Sequence, residues 1–257
     1  MTCDAMTYLL STSGIAALRN FIDNRTLFAF DLDGTLAPII ADPANIAIPE
    51  NVRIRLLALQ QIAPVAVITG RSRADALKHL GFVPDFLAGN HGAEGLPGCE
   101  ESEDGYVRLC CGWKKQLHEL LPNGNATGIV LEDKGATLTL HYRNATNREL
   151  AHAEILQAIS RLEPRPRSGS GIFVENIASQ AAPHKGGALL CIMEHMGYSR
   201  ALFVGDDATD EDVFRLDDAR IMGICVGMKA DSAAGYYLRD QSEIGVLLDR
   251  IMEASTE

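Results

Sequence analysis

The sequence lacks Cys-x-x-Cys pairs and has fewer basic than acidic residues. Each of these features argues against particular classes of protein. Its six cysteines include no Cys-x-x-Cys pair and are scattered through periodic segments, a pattern that favours reduced, packed thiols over a disulfide framework or a zinc site. The 23 Lys and Arg against 34 Asp and Glu give a formal net charge of -11. Nucleic acids and anionic membranes require clustered basic residues, so neither is expected as a partner.

Long apolar runs are also missing. No run reaches the length of a membrane span, and the N-terminus has neither the basic start nor the apolar stretch of a secretory signal. We therefore expect a cytoplasmic location. The 257 residues, without repeats or low-complexity tracts, suffice for one large domain or for a core with a second module. The oligomeric state stays open, and a monomer is compatible with the sequence.

An acidic pair stands at the end of an apolar strand. The run 27–30 is followed directly by Asp31-Leu32-Asp33-Gly34-Thr35. Alternation along a strand places Asp31 and Asp33 on one side and Leu32 on the other. Gly34 lets the chain turn sharply, and Thr35 adds a hydroxyl there. Alone, such a pair would be a solvated turn, but crowded carboxylates disfavour each other's ionisation and a bound metal would remove that conflict.

A second acidic cluster makes a metal site the favoured interpretation. It follows the apolar run 201–204 and reads Gly205-Asp206-Asp207-Ala208-Thr209-Asp210-Glu211-Asp212. A further apolar run, 65–68, ends in Thr69-Gly70-Arg71. The same arrangement of apolar strand and polar end thus recurs, which favours a shared site over unrelated turns.

Apolar runs alternate with helical patterns, which predicts an α/β fold. Strands are predicted at about 27–31, 65–68, 86–89, 201–205 and 221–226, and helices near 51–61, 72–80, 185–196, 210–216 and from about 241. This alternation indicates a Rossmann-like, doubly wound parallel sheet with helices on both faces. Ligands bind beyond the carboxyl ends of the strands in such sheets, so the acidic clusters and Thr69 should meet at that edge.

The middle of the chain follows a different pattern. A helix at 113–121, strands at 128–132 and 136–142 joined by a hairpin turn, a second helix around 155–162 and a strand at 172–174 predict a small α+β module. We expect residues 112–178 to form an inserted cap over the strand ends of a core made of residues 1–111 and 179–257. Segment 36–49, which contains three prolines, is expected to be a short flap beside the site.

The order of these motifs resembles the haloacid dehalogenase superfamily of phosphotransferases, in which a lysine such as Lys185 opens a helix between the two acidic clusters. More narrowly, six stretches resemble the trehalose-6-phosphate phosphatase family. They are 30–39, 69–71, 89–94, 132–135, 141–143 and 205–211. The chain departs from the family at the Glu-x-Arg-Pro stretch before the lysine, where it has Glu175-Asn176-Ile177-Ala178.

The resemblance implies specific roles for five residues of the core. Asp31 would be the nucleophile that forms an aspartyl-phosphate. Asp33 would protonate the departing sugar oxygen and later accept a proton from the attacking water. Thr69 and the amide of Gly70 would hold a phosphoryl oxygen, and Lys185 would neutralise charge on the phosphoryl group and the nucleophile.

The resemblance also implies Mg²⁺ as the cofactor, since this ion prefers oxygen ligands in an octahedral shell. The protein ligands would be the carboxylate of Asp31, the backbone carbonyl of Asp33 and Asp206. Asp207 and Asp210 would orient these ligands rather than bind the ion.

Substrate recognition is expected mainly in the cap. By analogy with the family, Glu132, Lys134 and Glu175 would hydrogen-bond hydroxyls of the distal glucose, although charged residues beside a hairpin turn are commonly just solvated. Asn90 and His91 would either reach the substrate near the hinge or cap a turn. Arg71 is a weaker candidate for substrate binding.

These implications lead to one expected function and several alternatives. The expectation is Mg²⁺-dependent hydrolysis of trehalose 6-phosphate to trehalose and phosphate, with the small-molecule sugar phosphate as the only partner. A phosphatase of sucrose 6-phosphate or of glucosyl- or mannosyl-3-phosphoglycerate is the nearest alternative. A phosphomutase is less favoured because it must retain the phosphoryl group. A non-catalytic sugar-phosphate sensor is opposed by the intact Asp31, Asp33, Lys185 and Asp206.

Overall fold

The chain folds as a core interrupted by an inserted unit. The computed structural model describes residues 6–122 and 127–256. The core unit comprises Met1–Gly98 and Pro183–Glu257, and the second unit, which we call the insert, comprises Cys99–Ala182. The insert is thus longer at both ends than the expected 112–178. At the N-terminal side its first helix begins at Glu100 rather than at the predicted 113.

The elements are numbered here in chain order. The strands are β1 (Thr7–Tyr8), β2 (Thr26–Phe30), β3 (Val65–Ile68), β4 (Phe86–Ala88), β5 (Val130–Asp133), β6 (Thr137–His141), β7 (Arg167–Gly171), β8 (Val174–Ala178), β9 (Arg200–Gly205), β10 (Ile221–Val226) and β11 (Tyr236–Leu238). The α-helices are α1 (Thr12–Phe21), α2 (Glu50–Gln60), α3 (Arg73–Leu80), α4 (Glu100–Leu120), α5 (Arg148–Ile159), α6 (Lys185–Met196), α7 (Glu211–Phe214) and α8 (Ile244–Ser255). Short 3-10 turns occur at Pro43–Asn45, Asn90–Gly92 and Gln241–Glu243.

The sheet of the core unit is parallel throughout and, within the described residues, has the order β1-β11-β10-β9-β2-β3-β4. The predicted α/β fold with a doubly wound parallel sheet is therefore confirmed. Strand β2 lies between β3 and β9. The three polar motifs consequently follow three neighbouring strands, which brings residues far apart in sequence to one edge.

Helices cover the sheet because its central strands are apolar on both faces. Every residue of β2 and β3 is buried, as expected for parallel strands enclosed between two helical layers. Phe28 and Phe30 pack in one cluster with residues of α1, α2 and α8. The side chain between them, that of Ala29, points to the opposite face. None of the helices in the described part of the chain is long and apolar enough to cross a membrane.

Two short strands and one helix of the core unit, β1, β11 and α1, are not among the elements predicted from the sequence. Strands β1 and β11 have two and three residues and pair with each other, so they are too short for period-2 alternation to register. Helix α1 is capped by Ser11, whose hydroxyl accepts a hydrogen bond from the amide of Gly14. The helix predicted at 210–216 is shorter, spanning only Glu211–Phe214.

The insert is an antiparallel sheet with helices on one face. Its strand order is β5-β6-β8-β7. Trp113 of α4 and Ile155 of α5 pack in one buried cluster with Leu138, Leu140 and Ile177 of the sheet. Since Leu138 and Ile177 are paired across β6 and β8, they define the face that the helices cover.

Two local predictions for the insert are wrong. Ile172 and Phe173 form the turn between β7 and β8 rather than a strand, with Phe173 in the left-handed region at φ 61°. The true strand β7 reads Arg-Ser-Gly-Ser-Gly and has no apolar residue to reveal it. Helix α4 begins at Glu100, and its first turn carries acidic residues, which favour a helix N-terminus electrostatically without contributing to an apolar period.

The buried cluster of the insert makes one prediction about stability. Ile155 is 0% exposed, whereas the next residue of α5, Leu156, is 44% exposed. We expect Ile155→Ala to lower the free energy of unfolding of the insert by about 2–5 kcal/mol, because it leaves a cavity. Leu156→Ala is the matched control and should cost less than about 1 kcal/mol. Urea unfolding followed by Trp113 fluorescence measures both, and equal losses would contradict the assigned orientation of α5.

Candidate active site

Three strand ends converge to form the candidate active site. Asp31 follows β2, Thr69 follows β3, and Asp206 follows β9. The sheet hydrogen bonds continue to the first two of these residues: the amide of Asp31 donates to the carbonyl of Val204 at 2.9 Å, and that of Thr69 to Ala88 at 2.9 Å. The backbone of the site is thus held by the sheet itself.

A buried lysine joins the two acidic clusters. Lys185 is the first residue of α6 and is 1% exposed. Its Nζ lies 3.0 Å from Oδ1 of Asp31 and 2.7 Å from Oδ1 of Asp210. Asp31 is 4% and Asp210 0% exposed. A charged pair or triad at this depth requires good geometry to offset the loss of hydration, and both contacts are within hydrogen-bonding distance.

Asp206 lies directly against the turn that follows β2. Its Oδ1 accepts a hydrogen bond from Oγ1 of Thr35 at 3.1 Å. Gly34 has φ +82°, and a Cβ atom there would lie 2.2 Å from Oδ2 of Asp206. Only glycine therefore permits both the backbone conformation and the close approach of the carboxylate.

The charges of the site are unbalanced. Burial, reinforced by Asp210 and Asp207, raises the pKa of Asp206 to about 6. Burial also raises the pKa of Asp31 well above its ordinary value, against the attraction of Lys185, and raises the pKa of Asp210. The pKa of Asp207 is lowered, because attraction to Lys185 and hydrogen bonds from Thr209 outweigh its burial. Lys185 thus faces several carboxylates, an arrangement that favours a bound cation.

A metal ion fits this donor set. Asp31, Asp206 and Asp210 each offer a carboxylate oxygen, and these three oxygens lie within 4.8 Å of one another. Hard divalent cations prefer such oxygen ligands. Asp210 already accepts hydrogen bonds on both oxygens, from Lys185 on Oδ1 and from the amides of Asp206 and Asp207 on Oδ2. It is therefore best placed to organise the loop that presents Asp206.

Arg71 holds the second aspartate of the first motif. Its guanidinium donates two hydrogen bonds to Asp33, Nε to Oδ2 at 2.8 Å and Nη2 to Oδ1 at 2.8 Å, and a third to Asp75 at 2.7 Å. The hydrogen bond to Asp33 is the largest influence on the pKa of Arg71, which is raised. From the sequence motifs, Arg71 is only a weaker candidate for substrate binding. The i, i+4 spacing of Arg71 and Asp75 at the start of α3 was the available signal.

A strained turn supports the strand end at Thr69. Asn90 and His91 have φ 52° and 58°, a region that costs side-chain-bearing residues about 1–2 kcal/mol each. Their amides donate to the carbonyls of Arg71 at 2.7 Å and Thr69 at 2.8 Å. Asn90 is 1% exposed, and its Nδ2 donates to Glu94 at 3.0 Å. Asn90 therefore stabilises the turn, one of the two roles that its sequence position allowed.

His91 packs on the phosphate-binding candidate Gly70. A Cβ atom at Gly70 would lie 2.5 Å from Cε1 of His91. The imidazole thus occupies the space that any larger residue at position 70 would need. Glu94, which also accepts a hydrogen bond from the amide of Arg73 at 2.8 Å, was not among the predicted site residues.

Glu132 and Lys134 lie together in the insert. Nζ of Lys134 is 3.8 Å from Oε2 of Glu132, and Nε2 of His141 lies 2.8 Å from the same oxygen. The Glu132 side chain is 46% exposed. These residues form an accessible polar group at the end of the β5–β6 hairpin.

Glu175 is not part of that group. It is 1% exposed, and its Oε1 contacts Nε2 of His152 at 2.8 Å and accepts a hydrogen bond from Oγ of Ser170 at 2.6 Å. The ring of Tyr142 stacks on His152 with centroids 4.9 Å apart. The structure therefore places Glu175 in a buried polar network of the insert. This burial was not predictable from the residue type, since glutamate is usually exposed.

Comparison with known proteins defines the family. A model of the trehalose-phosphatase family matches residues 29–240, which include every strand end described above. The chain belongs to the trehalose-phosphatase family. The resemblance inferred from its motifs is thereby confirmed. Family members act as hydrolases on a phosphorylated small molecule, so the chain is an enzyme of this class.

Individual relatives agree with this assignment. The probable trehalose-phosphate phosphatase 9 of Oryza sativa subsp. japonica is 28% identical over 267 residues, which cover 89% of this chain and 70% of that protein. The trehalose-phosphate phosphatase of Mycobacterium tuberculosis is 29% identical over 236 residues, covering 86% of this chain and 60% of that protein. The chain thus spans only part of the length of these relatives.

A solved structure shares the fold. The C-terminal domain of the trehalose-6-phosphate phosphatase of C. albicans superimposes with a TM-score of 0.70 at 20% identity, covering 98% of this chain and 99% of that chain. At this identity the likeness concerns the fold alone.

The charge imbalance of the site predicts opposite effects for two adjacent aspartates. Because the folded state raises the pKa of Asp206 from 3.8 to about 6, its ionisation opposes folding as the pH rises through that interval. Asp206→Asn should therefore raise the unfolding temperature of the metal-free protein at about pH 7.5. Asp207→Asn should lower it, because the ionised form of Asp207 is favoured in the folded state.

Differential scanning calorimetry with a chelator measures both effects. The increase in unfolding temperature caused by Asp206→Asn should become smaller as the pH falls below about 6. Added Mg²⁺ should raise the unfolding temperature of the wild type and not that of Asp206→Asn. Changes of the same sign in the two variants would contradict the charge distribution described here.

Proposed function

We propose that this chain is a magnesium-dependent phosphatase that hydrolyses trehalose 6-phosphate to trehalose and phosphate. The observation that carries the proposal is Lys185 buried between Asp31 and Asp210, beside Asp206, at the ends of adjacent strands. The substrate is the one for which the related phosphatases are named. We further propose that the enzyme acts in the cytoplasm.

Asp31 is the proposed nucleophile. Its carboxylate oxygen would attack phosphorus, the sugar oxygen would leave, and water would then cleave the aspartyl-phosphate to release phosphate. The pKa of Asp31 is raised by burial, so its reactive, ionised form depends on nearby positive charge. Lys185, 3.0 Å away, supplies one such charge.

Asp33 is the proposed proton carrier. Its side chain is 40% exposed and is held by Arg71. Guanidinium groups bind phosphate oxygens as readily as carboxylates, so a phosphate ester beside Asp31 would compete for Arg71. Asp33 would then be released to donate its proton to the leaving oxygen and later to accept one from water.

Mg²⁺ is the proposed cofactor. Asp31, Asp206 and the backbone carbonyl of Asp33 would hold it, and Asp207 and Asp210 would orient these groups. The ion would neutralise negative charge on the phosphoryl group as the nucleophile approaches. The all-oxygen donor set and the carboxylates of raised pKa support this assignment.

Thr69 and Gly70 are proposed to hold a phosphoryl oxygen. Oγ1 of Thr69 accepts a hydrogen bond from the amide of Arg71 at 3.3 Å, which leaves its hydroxyl proton for a ligand. The amide of Gly70 is the second proposed donor. Because the Asn90–Gly92 turn binds the carbonyls of Thr69 and Arg71, these donors are fixed before the substrate arrives.

Phosphate release from a panel of sugar phosphates tests the function. We expect trehalose 6-phosphate to be hydrolysed with the highest kcat/KM in a panel that includes sucrose 6-phosphate and glucose 6-phosphate. Activity should disappear with a chelator and return with Mg²⁺. Asp31→Asn is nearly isosteric and should reduce kcat by at least about a thousandfold, because it removes the nucleophile.

Each outcome of this experiment has one meaning. A preference for another sugar phosphate would overturn the substrate but leave the chemistry intact. Full activity in the chelator would overturn the role of the metal. Retained turnover by a folded Asp31→Asn would remove Asp31 as the nucleophile, and circular dichroism provides the control for folding.

The insert is proposed to recognise the sugar through Glu132 and Lys134. We expect Glu132→Ala to reduce kcat/KM for trehalose 6-phosphate by about 10- to 100-fold, the range for one or two charge-assisted hydrogen bonds. Hydrolysis of a small aryl phosphate should change by less than about twofold, because that substrate lacks the distal sugar. Glu154→Ala, on helix α5, is the control. Equal losses on both substrates would contradict the role of Glu132.

A further inference from the structure

The two faces of the insert sheet carry different side chains. Residues paired directly across antiparallel strands share a face. One row, Leu131, Leu140, Glu175 and Ser170, lies on the face covered by α4 and α5. The next row lies on the opposite face, which we call the open face because the helices of the insert pack on the other side.

The row on the open face is polar. It consists of Glu132 on β5, Thr139 on β6, Asn176 on β8 and Gly169 on β7. Oγ1 of Thr139 donates a hydrogen bond to Oδ1 of Asn176 at 2.7 Å. Among the side-chain hydrogen bonds described for these residues, Nδ2 of Asn176 has none, so two donors are available to a ligand.

Strand β7 leaves space beside Asn176. A Cβ atom at Gly169 would meet nothing within 4 Å. The side chains that flank it, Ser168 and Ser170, belong to the opposite face because strand residues alternate. The row thus ends in an uncovered stretch of backbone next to the amide of Asn176.

The register that creates this arrangement is fixed. Gly171 pairs with Val174 across the two-residue turn, and Phe173 takes the left-handed conformation within it. The ring of Phe173 packs edge-on against Tyr142 at 6.0 Å, and the guanidinium of Arg148 lies 4.6 Å over it. Moving Glu175 to the open face would require a shift of one residue, which would also transfer Ile177 out of the apolar cluster.

We propose that Asn176 and the uncovered backbone at Gly169 form the part of the sugar site that β8 and β7 contribute, and that Glu175 supports β8 from its buried face. This inference rests on the proposed function and deepens it. Sugar hydroxyls both donate and accept hydrogen bonds. The open row offers them the carboxylate of Glu132 and the amide of Asn176. Thr139, between them, is 2% exposed and orients the amide of Asn176 rather than meeting a ligand.

The buried network gives Glu175 its separate role. With Oε1 bound by His152 and Ser170 and with 1% exposure, Glu175 links α5 to strands β7 and β8. It thereby fixes the strand that presents Asn176. Glu175 is a positioning residue in this arrangement, and it has no contact with the sugar.

Kinetics on two substrates test the assignment. We expect Asn176→Ala to raise KM for trehalose 6-phosphate about tenfold, because a hydrogen bond to the sugar is lost. Its kcat/KM for para-nitrophenyl phosphate should change by less than about twofold. Glu175→Gln should lower the unfolding temperature and, because it loosens the strand that presents Asn176, should reduce the ratio of kcat/KM for trehalose 6-phosphate to that for the aryl phosphate by less than Asn176→Ala does.

A pair of substitutions on β7 provides the matched control. Gly169→Val places a side chain on the open face and should raise KM for trehalose 6-phosphate at least about fivefold, since it occupies the uncovered space. Ser168→Val adds similar bulk to the opposite face of the same strand and should leave KM unchanged. Calorimetry on each variant confirms that it is folded.

The results separate this inference from the proposed function. If the wild type prefers another sugar phosphate, the proposed substrate fails, and Asn176→Ala should still impair that sugar phosphate more than the aryl phosphate. If Glu132→Ala is selective for the sugar phosphate while Asn176→Ala and Gly169→Val are not, the inference alone is overturned. A selective effect of Glu175→Gln, with none from Asn176→Ala, would return the contact to Glu175.

Discussion

The ammonium of Lys185, enclosed by Asp31 and Asp210, is the interaction on which the remainder of the site depends. It connects the strand end of β2 to the loop after β9 and is buried among several carboxylates at that edge. Removal of either carboxylate would leave the buried ammonium with only one of these two partners, which is more damaging than the loss of a surface ion pair. The excess of negative charge that Lys185 leaves uncompensated is what suits this edge to a cation and to an anionic substrate.

The sheet order makes this interaction possible. Since β2 has β3 on one side and β9 on the other, the nucleophile candidate, the hydroxyl of Thr69 and the metal-ligand candidate Asp206 are neighbours although they are far apart in sequence. Small residues permit the final approach. Gly34 admits the carboxylate of Asp206, and Gly70 admits the ring of His91.

The sequence was sufficient for the fold class and the core motifs because both depend on local patterns. Apolar runs ending in polar residues identify buried parallel strands, and Asp31, Asp206 and Lys185 belong to such patterns. The limits of the insert were not predictable in this way, because α4 begins with acidic residues and β7 contains no apolar residue. The hydrogen bonds from Arg71 to Asp33 depend on a contact across the fold, and the burial of Glu175 depends on strand register. Residue type alone specifies neither.

Strand β2 lies between β3, which precedes the insert in the chain, and β9, which follows it, and this order affects when the sheet can form during synthesis. Its partner β3 follows within the same segment, but β9 is made only after the whole insert has been synthesised. Until then, a central strand with four apolar residues out of five has one hydrogen-bonding edge unpaired, a condition that favours wrong association of nascent chains. The same topology that unites the two acidic clusters therefore delays the closing of the central sheet until the second half of the core has been made.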